Sequence, residues 1–177
     1  YVGFPKDFGS IELINDQDVV LILMGRIQGI VENKRLRLIF LDVIEALRKV
    51  SSQILLRLHP NERRGLPLID KFVSDTKLDV SEGDLRSDIA AASYIIGANT
   101  STLVEAAASG RKVYEIEELA VPVLSFEGTI KIKTNAVYEI DRVFDSSFAS
   151  SHLGFDEQQV DKNLTALLLS LKKARSN

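Results

Sequence analysis

The stretch SDIAAASYIIGANTSTLVEAAASGRKVY, from Ser87 to Tyr114, decides the fold. It predicts a helix, a buried strand at Tyr94 to Ile96, a polar loop at Gly97 to Ser101, a helix at Thr102 to Ser109, a stop at Gly110 and a strand at Lys112 to Ile116. In a parallel α/β sheet, ligands bind where a loop leaves the carboxyl end of a strand and opens a helix, because main-chain N–H groups face outward there. We therefore expect a ligand site at the Gly97 to Ser101 loop.

Strands and helices alternate on the amino-terminal side of this unit. The pattern predicts strands at Asp18 to Ile27, Gln53 to Leu58 and Leu78 to Val80, and helices at Glu32 to Val50, Glu62 to Ser74 and Asp84 to Ala92. The apolar run Val19 to Met24 is typical of a strand that is buried on both faces of a parallel sheet. The chain therefore predicts an α/β fold: a doubly wound, mostly parallel, Rossmann-like sheet with helices on both faces.

The two ends of the chain are less regular. The alternating segment TIKIK, Thr129 to Lys133, predicts a short edge strand or a hairpin. A helix is predicted at Tyr138 to Phe144, and an amphipathic carboxyl-terminal helix at Asp156 to Ala174. Residues 1–17 contain glycine and proline and little periodicity, so we expect a lead-in from a further amino-terminal domain, followed by one domain over residues 18–177.

Composition restricts the classes of function. With 22 basic and 25 acidic residues the net charge is -3, so no overall basic field favours nucleic acid as a partner. The absence of cysteine excludes disulfides and thiolate catalysis and fits a cytoplasmic location. The longest apolar run is far below the roughly 20 residues that a membrane-spanning helix needs. We expect no metal and no cofactor, because no carboxylate cluster has ligand spacing, and the P-loop and GxGxxG motifs are absent.

The polar loop carries the first candidate residues. Gly97 and the small residues Asn99, Thr100, Ser101 and Thr102 let a ligand approach the main chain, and their amides and hydroxyls could donate to phosphate oxygens. An alternative needs no ligand: Thr102 is the N-cap of the helix, and Glu105 completes a capping box. A carboxylate at Glu105 could also accept hydrogen bonds from a vicinal diol such as ribose.

Two further candidates follow other strands and should lie on the same edge of the sheet. His59 ends the second strand, where an imidazole could bond a phosphate oxygen, most strongly when protonated, or could simply order the turn before Pro60. Gly25 and Arg26 close the first strand, and the guanidinium could reach a phosphate bidentately. Arg57 alternates with apolar residues and is expected at an edge or in an internal pair.

These segments resemble the carboxyl-terminal, donor-binding half of GT-B-type glycosyltransferases. The resemblance rests on VGFP (Val2 to Pro5), RLHP (Arg57 to Pro60) and the run from Asp88 to Val113. More narrowly, the chain is similar to bacterial enzymes that build surface polysaccharide: sialyltransferases, Kdo-type capsule transferases and the CDP-glycerol polymerases of teichoic acid.

The resemblance implies specific roles. His59 and the Ser101–Thr102 pair would bind the donor phosphate, and Glu105 would bind the ribose. The assisting role of Arg26 at the phosphate is expected from its position after the first strand and not from the resemblance. It also implies a second, amino-terminal half that supplies the acceptor-glycan site and the catalytic base, so that the isolated domain would bind a nucleotide sugar without turning it over. The full-length protein could associate peripherally with a membrane. Two alternatives stay open: half of an epimerase of the UDP-GlcNAc 2-epimerase type, or a non-catalytic α/β assembly module.

Overall fold

The computed structural model describes residues 18–62, 66–109, 111–121 and 129–140. The predicted lead-in at residues 1–17, the predicted helix from Asp156 to Ala174 and residues 141–144 of the predicted Tyr138 to Phe144 helix lie outside the described residues. None of the helices in the described part of the chain is long and apolar enough to cross a membrane.

The described residues form six strands and five α-helices. The strands are β1 (Val19–Met24), β2 (Gln53–Arg57), β3 (Asp79–Val80), β4 (Tyr94–Ala98), β5 (Val113–Ile116) and β6 (Ile130–Ile132). The α-helices are α1 (Ile27–Glu32), α2 (Lys34–Val50), α3 (Pro67–Thr76), α4 (Leu85–Ala91) and α5 (Thr102–Ala108), and a 3₁₀ helix spans Thr134–Glu139.

The six strands make one sheet in the order β3-β2-β1-β4-β5-β6, and every pair is parallel. This order is that of a Rossmann-like fold, so the predicted fold class is confirmed. The central pair is β1 and β4, in which Leu23 lies opposite Gly97. At this pair the order of the strands reverses, which is the position where such sheets bind ligands.

Alternate residues of β1 enter two separate cores. Val20 and Ile22 pack in a cluster with α1, α2 and α3, whereas Leu21 and Leu23 pack in a second cluster with α4 and α5. All six residues of β1 are buried. Because both faces of the sheet are covered by helices, β1 must be apolar at every position, which explains its continuous apolar run.

Two predicted helix starts differ from the structure. The helix predicted at Glu32 to Val50 begins at Lys34, because the Asn33 side chain accepts from the main-chain N–H groups of Arg35 and Leu36 and caps it. The helix predicted from Glu62 begins at Pro67, a residue well suited to a first helical turn.

The alternating TIKIK segment forms an edge strand, as predicted, but not a hairpin. β6 pairs parallel with β5, so the hairpin alternative is wrong. The chain then enters the 3₁₀ helix Thr134–Glu139, where an α-helix was predicted to start only at Tyr138.

Candidate functional site

A cleft of about 550 Å³ opens at the carboxyl ends of β1, β2 and β4. Of the described residues, those that line it are Gly25, Arg26, His59, Asn99, Thr100, Ser101 and Val121. Six of these seven were singled out in the sequence as candidate ligand-binding residues. We call it the switch-point cleft, because it lies where β1 and β4 send their following helices to opposite faces of the sheet.

Gly25 forms the point of closest approach between the two central loops. Its N–H donates to the Ala98 carbonyl at 2.9 Å. A Cβ atom at Gly25 would lie 2.5 Å from the Asn99 carbonyl oxygen, a distance that real Cβ atoms do not tolerate. A glycine is therefore required here for steric reasons, and it lets the loop after β4 lie against the turn after β1.

Asn99 adopts a left-handed backbone conformation, with φ of 61°, which asparagine tolerates better than most residues. Its Nδ2 donates to the Leu119 carbonyl at 2.7 Å, and its Oδ1 accepts from the Val121 N–H at 2.6 Å. The amide therefore clamps the segment after β5 to the cleft. What Asn99 can still offer a ligand is its second Nδ2 hydrogen and its main chain.

The hydroxyl groups of the residues that follow Asn99 differ in their hydrogen bonding. The hydroxyls of Thr100 and Thr102 are hydrogen-bonded to each other. Ser101 is exposed, occupies the N-cap position of α5 and makes no capping bond through its side chain. Within the described ranges, the main-chain N–H groups of Thr100 and Ser101 donate to no protein acceptor. Within the described ranges this loop therefore leaves one hydroxyl and two main-chain N–H groups without a protein partner, on residues that line the cleft.

The capping interpretation of the same loop is wrong in detail. Thr102 is the first residue of α5 and not its N-cap, because Ser101 takes that position with a helical backbone. Thr102 does not line the cleft.

His59 is partly exposed at the opposite wall of the cleft. Its Nδ1 accepts from the Asn61 N–H at 3.2 Å, and its carbonyl accepts from the Glu62 N–H at 2.7 Å. With Nδ1 accepting, Nε2 is the ring nitrogen that can donate to a ligand. His59 therefore orders the turn of residues 59–62, which contains Pro60 and does not precede it as the alternative interpretation supposed, and its Nε2 stays available to the cleft.

Arg26 supplies the positive charge of the cleft. It is exposed and takes the N-cap position of α1 without a side-chain capping bond. In the part of the chain that the structure describes, no carboxylate lies within ion-pair distance of its guanidinium. The guanidinium is therefore available to an anion, and its fork of N–H donors suits a phosphate.

Two other predicted site residues lie outside the lining. Gly97 belongs to β4 and not to the loop, and a Cβ there would lie 1.7 Å from the Leu23 carbonyl oxygen, so strand packing accounts for this glycine. Glu105 lies one turn into α5 and is half-buried. Burial raises the pKa of its carboxyl, and no described side chain or main-chain group donates to it.

A smaller depression of about 250 Å³ adjoins the cleft on the far side of His59. Arg57 lies at its edge and pairs with Asp88, which also accepts from Ser81, so the expectation of an internal pair for Arg57 is confirmed. Its wall includes Glu62, which is buried. Among the described residues no group of three His, Asp or Glu side chains is placed to hold a metal ion.

The sequence interpretation missed the structural roles of two residues that shape the cleft. Asn99 was chosen as a donor, whereas its clamp on residues 119–121 has no signature in the sequence. Glu62 was placed inside a predicted helix. The only available signal was Pro67, whose preference for the first turn would have moved the start of that helix beyond Glu62.

No protein-family model matches this chain, and no curated protein matches it in sequence. Among solved structures it is similar to the wall teichoic acid polymerase TagF, with 12% identity and a TM-score of 0.41. The match covers 89% of this chain and 44% of that chain, so this chain spans less than half the length of the polymerase. At this identity and TM-score, the similarity carries no argument about the fold or the function of this chain.

Proposed function

We propose that this chain is the donor-binding domain of a glycosyltransferase and that the switch-point cleft binds the phosphates of a nucleotide sugar. One observation carries the proposal: three loops, far apart in sequence, bring Arg26, His59 and Ser101 to one cleft at the switch point of a parallel sheet. All three side chains can donate hydrogen bonds. A set of donors with one fixed positive charge suits an anionic ligand with several oxygens.

Each of these donors can bind different oxygens of a diphosphate. The Arg26 guanidinium can bind two oxygens of one phosphate, because its N–H groups form a planar fork. The His59 Nε2–H and the Ser101 hydroxyl donate from the two other loops, and the main-chain N–H groups of Thr100 and Ser101 add donors that need no reorganisation. Glu105 would accept from ribose hydroxyls if the nucleoside lies along α5.

The chemical role of these donors would be electrostatic. When the bond between sugar and phosphate breaks, negative charge grows on the departing nucleotide, and donors already aimed at that position stabilise it. The acceptor glycan and the catalytic base would come from another domain, as the motif resemblance implies. We therefore expect the isolated chain to bind nucleotides and to transfer no sugar.

Binding should be weak, because a ligand held from one side buries only part of its surface. We expect dissociation constants on the order of 0.1 to 1 mM for the preferred nucleotide. At 10 mM nucleotide and a Kd of about 0.5 mM, binding stabilises the fold by about 1.8 kcal/mol. For a chain of this length that shift raises Tm by about 4 to 7 °C.

The test is a thermal-shift series with CMP, CDP, UDP and GDP at 10 mM. Variants Arg26→Gln, His59→Ala and Ser101→Ala should each lose most of the shift, since a hydrogen bond that involves a charged group contributes about 1.5–3 kcal/mol. Arg35→Gln and Ser74→Ala, at exposed positions on α2 and α3, are the matched controls and should keep it. Equal shifts in the cleft variants and the controls would place any bound nucleotide elsewhere and refute the proposal.

A further inference from the structure

Glu62 connects the two walls of the switch-point cleft. It is 5% exposed. Its Oε1 accepts from the Gln28 N–H at 2.6 Å, and its own N–H donates to the His59 carbonyl at 2.7 Å. Gln28 follows Arg26 by two residues and Glu62 follows His59 by three, so a single residue ties the turn that carries Arg26 to the turn that carries His59.

The bond to Gln28 also explains how an arginine can stand at the start of α1. N-cap positions favour Ser, Thr, Asp or Asn, because their side chains accept from the free N–H groups of the first turn. Arg26 cannot accept, and α1 has no acidic residue in its first turn. The Glu62 carboxylate provides the missing acceptor from another loop. The Arg26 side chain is thereby left to face the cleft that it lines.

The other described contacts of the Glu62 side chain do not explain its burial. Its second oxygen, Oε2, is buried and has no hydrogen-bond partner among the described residues. An ion pair within the described ranges therefore does not account for the burial of this carboxylate. Among the described residues, the hydrogen bond that the Glu62 carboxylate accepts comes from the Gln28 N–H, and this bond lies beside the cleft.

We propose that Glu62 is a positioning residue that fixes the turn of Arg26 against the turn of His59, so that both donors meet one anionic ligand. This proposal rests on the proposed function of the cleft. Glu62 touches no ligand in this scheme and acts only through the main chain of α1.

The experiment measures pyrophosphate affinity and the Gln28 amide signal in the same samples of the 177-residue chain. Glu62→Ala removes the acceptor, Glu62→Asp shortens its reach by one methylene, and Glu62→Gln keeps an acceptor oxygen at the same distance. Glu45→Ala, at an exposed position on α2, is the matched control. Pyrophosphate is titrated by protein-observed NMR, which gives Kd and the Gln28 signal together.

We expect Glu62→Ala and Glu62→Asp to weaken pyrophosphate binding about tenfold, by analogy with the lower end of the loss that metal sites show when a supporting hydrogen-bond partner is removed. Glu62→Gln should stay within about threefold of the wild type, and Glu45→Ala should not change. The Gln28 amide proton should move upfield in Glu62→Ala and Glu62→Asp, since it loses a short bond to a carboxylate.

A double-mutant cycle with Arg26→Gln separates positioning from other roles. If Glu62 acts by placing Arg26, then Glu62→Ala should add less than about a twofold effect once Arg26→Gln is present. Fully additive effects, or a Glu62→Ala variant that is less stable but binds as tightly as the wild type, would overturn the proposal. If Glu62→Ala does not fold, Glu62→Asp gives the same comparison.

The measurements distinguish a failure of the proposed function from a failure of the proposed role of Glu62. If the wild type binds no pyrophosphate and none of the four nucleotides, the proposed function is refuted. The positioning of Arg26 is then decided by the main-chain signals of residues 26–28. Faster amide exchange there in Glu62→Asp, but not in Glu62→Gln, supports it, and unchanged exchange in both overturns it.

Discussion

Gly25→Ala should disturb both the fold and the cleft, because the two central loops touch at this residue. A Cβ at Gly25 would lie 2.5 Å from the Asn99 carbonyl oxygen, whereas ordinary contact begins near 3.4 Å, so Asn99 must retreat by about 0.9 Å. That movement strains the two bonds from the Asn99 side chain to residues 119–121. Overpacking of this kind costs about 1–3 kcal/mol, and we expect about 2 kcal/mol here.

Chemical denaturation measures the free energy of unfolding, and nucleotide titration of the same sample measures binding. Gly29→Ala is the control, since a Cβ there meets no atom within 4 Å. Gly29 lies inside α1, so alanine should stabilise the helix by about 0.5–1 kcal/mol and leave binding unchanged. If Gly25→Ala were as stable as the wild type and bound nucleotides equally well, the close approach of the loops would not be what requires glycine.

Substitutions at three further positions test separate parts of the account. Asn99→Ala removes two hydrogen bonds and places alanine at positive φ, so it should lower the free energy of unfolding by about 2–4 kcal/mol. Asn99→Gly avoids the backbone strain and should lower it by about 1 kcal/mol less. Chemical denaturation measures both. Burial raises the pKa of the Glu105 carboxyl, so the folded state favours its protonated form. The resulting stabilisation is fully present below the ordinary pKa of 4.5 and is lost as the pH rises through the raised pKa. Glu105→Gln should therefore raise Tm at pH 7 and give no gain near pH 4. Hydrogen bonds from the Ser87 hydroxyl and N–H lower the pKa of the Asp84 carboxyl. The stabilisation from Asp84 is present above its ordinary pKa of 3.8 and is lost as the pH falls through the lowered pKa. Asp84→Ala should therefore lower Tm at pH 7, and the difference from the wild type should vanish in strong acid.

The sequence predicted the architecture because burial leaves a strong pattern. A strand covered on both faces must be apolar at each position, as in Val19–Met24, and α2 shows its apolar face at helical spacing. Parallel pairing alone predicted that the cleft lies at the carboxyl ends of the strands. Once β1, β2 and β4 are parallel, Arg26, His59 and Ser101 must follow strand ends on one edge.

Contacts between distant residues were not predictable in the same way. Nothing near Glu62 in the sequence indicates that it caps a helix 34 residues earlier, and the left-handed conformation of Asn99 has no pattern beyond residue type. Thr102 and Glu105 match a capping box by spacing, but the helix starts one residue too early to form it. Such details depend on how two loops meet, which local propensity does not encode.

The most direct test of the central claim is a ¹⁵N–¹H correlation titration of the wild-type chain with CMP, CDP, UDP and GDP. If the switch-point cleft binds a nucleotide phosphate, one nucleotide should shift the amide signals of Arg26, Thr100 and Ser101 first, together with the His59 ring, with a Kd of about 0.1 to 1 mM. Shifts confined to residues remote from the cleft, or none with any of the four nucleotides, would contradict the assignment of this cleft as a donor-binding site.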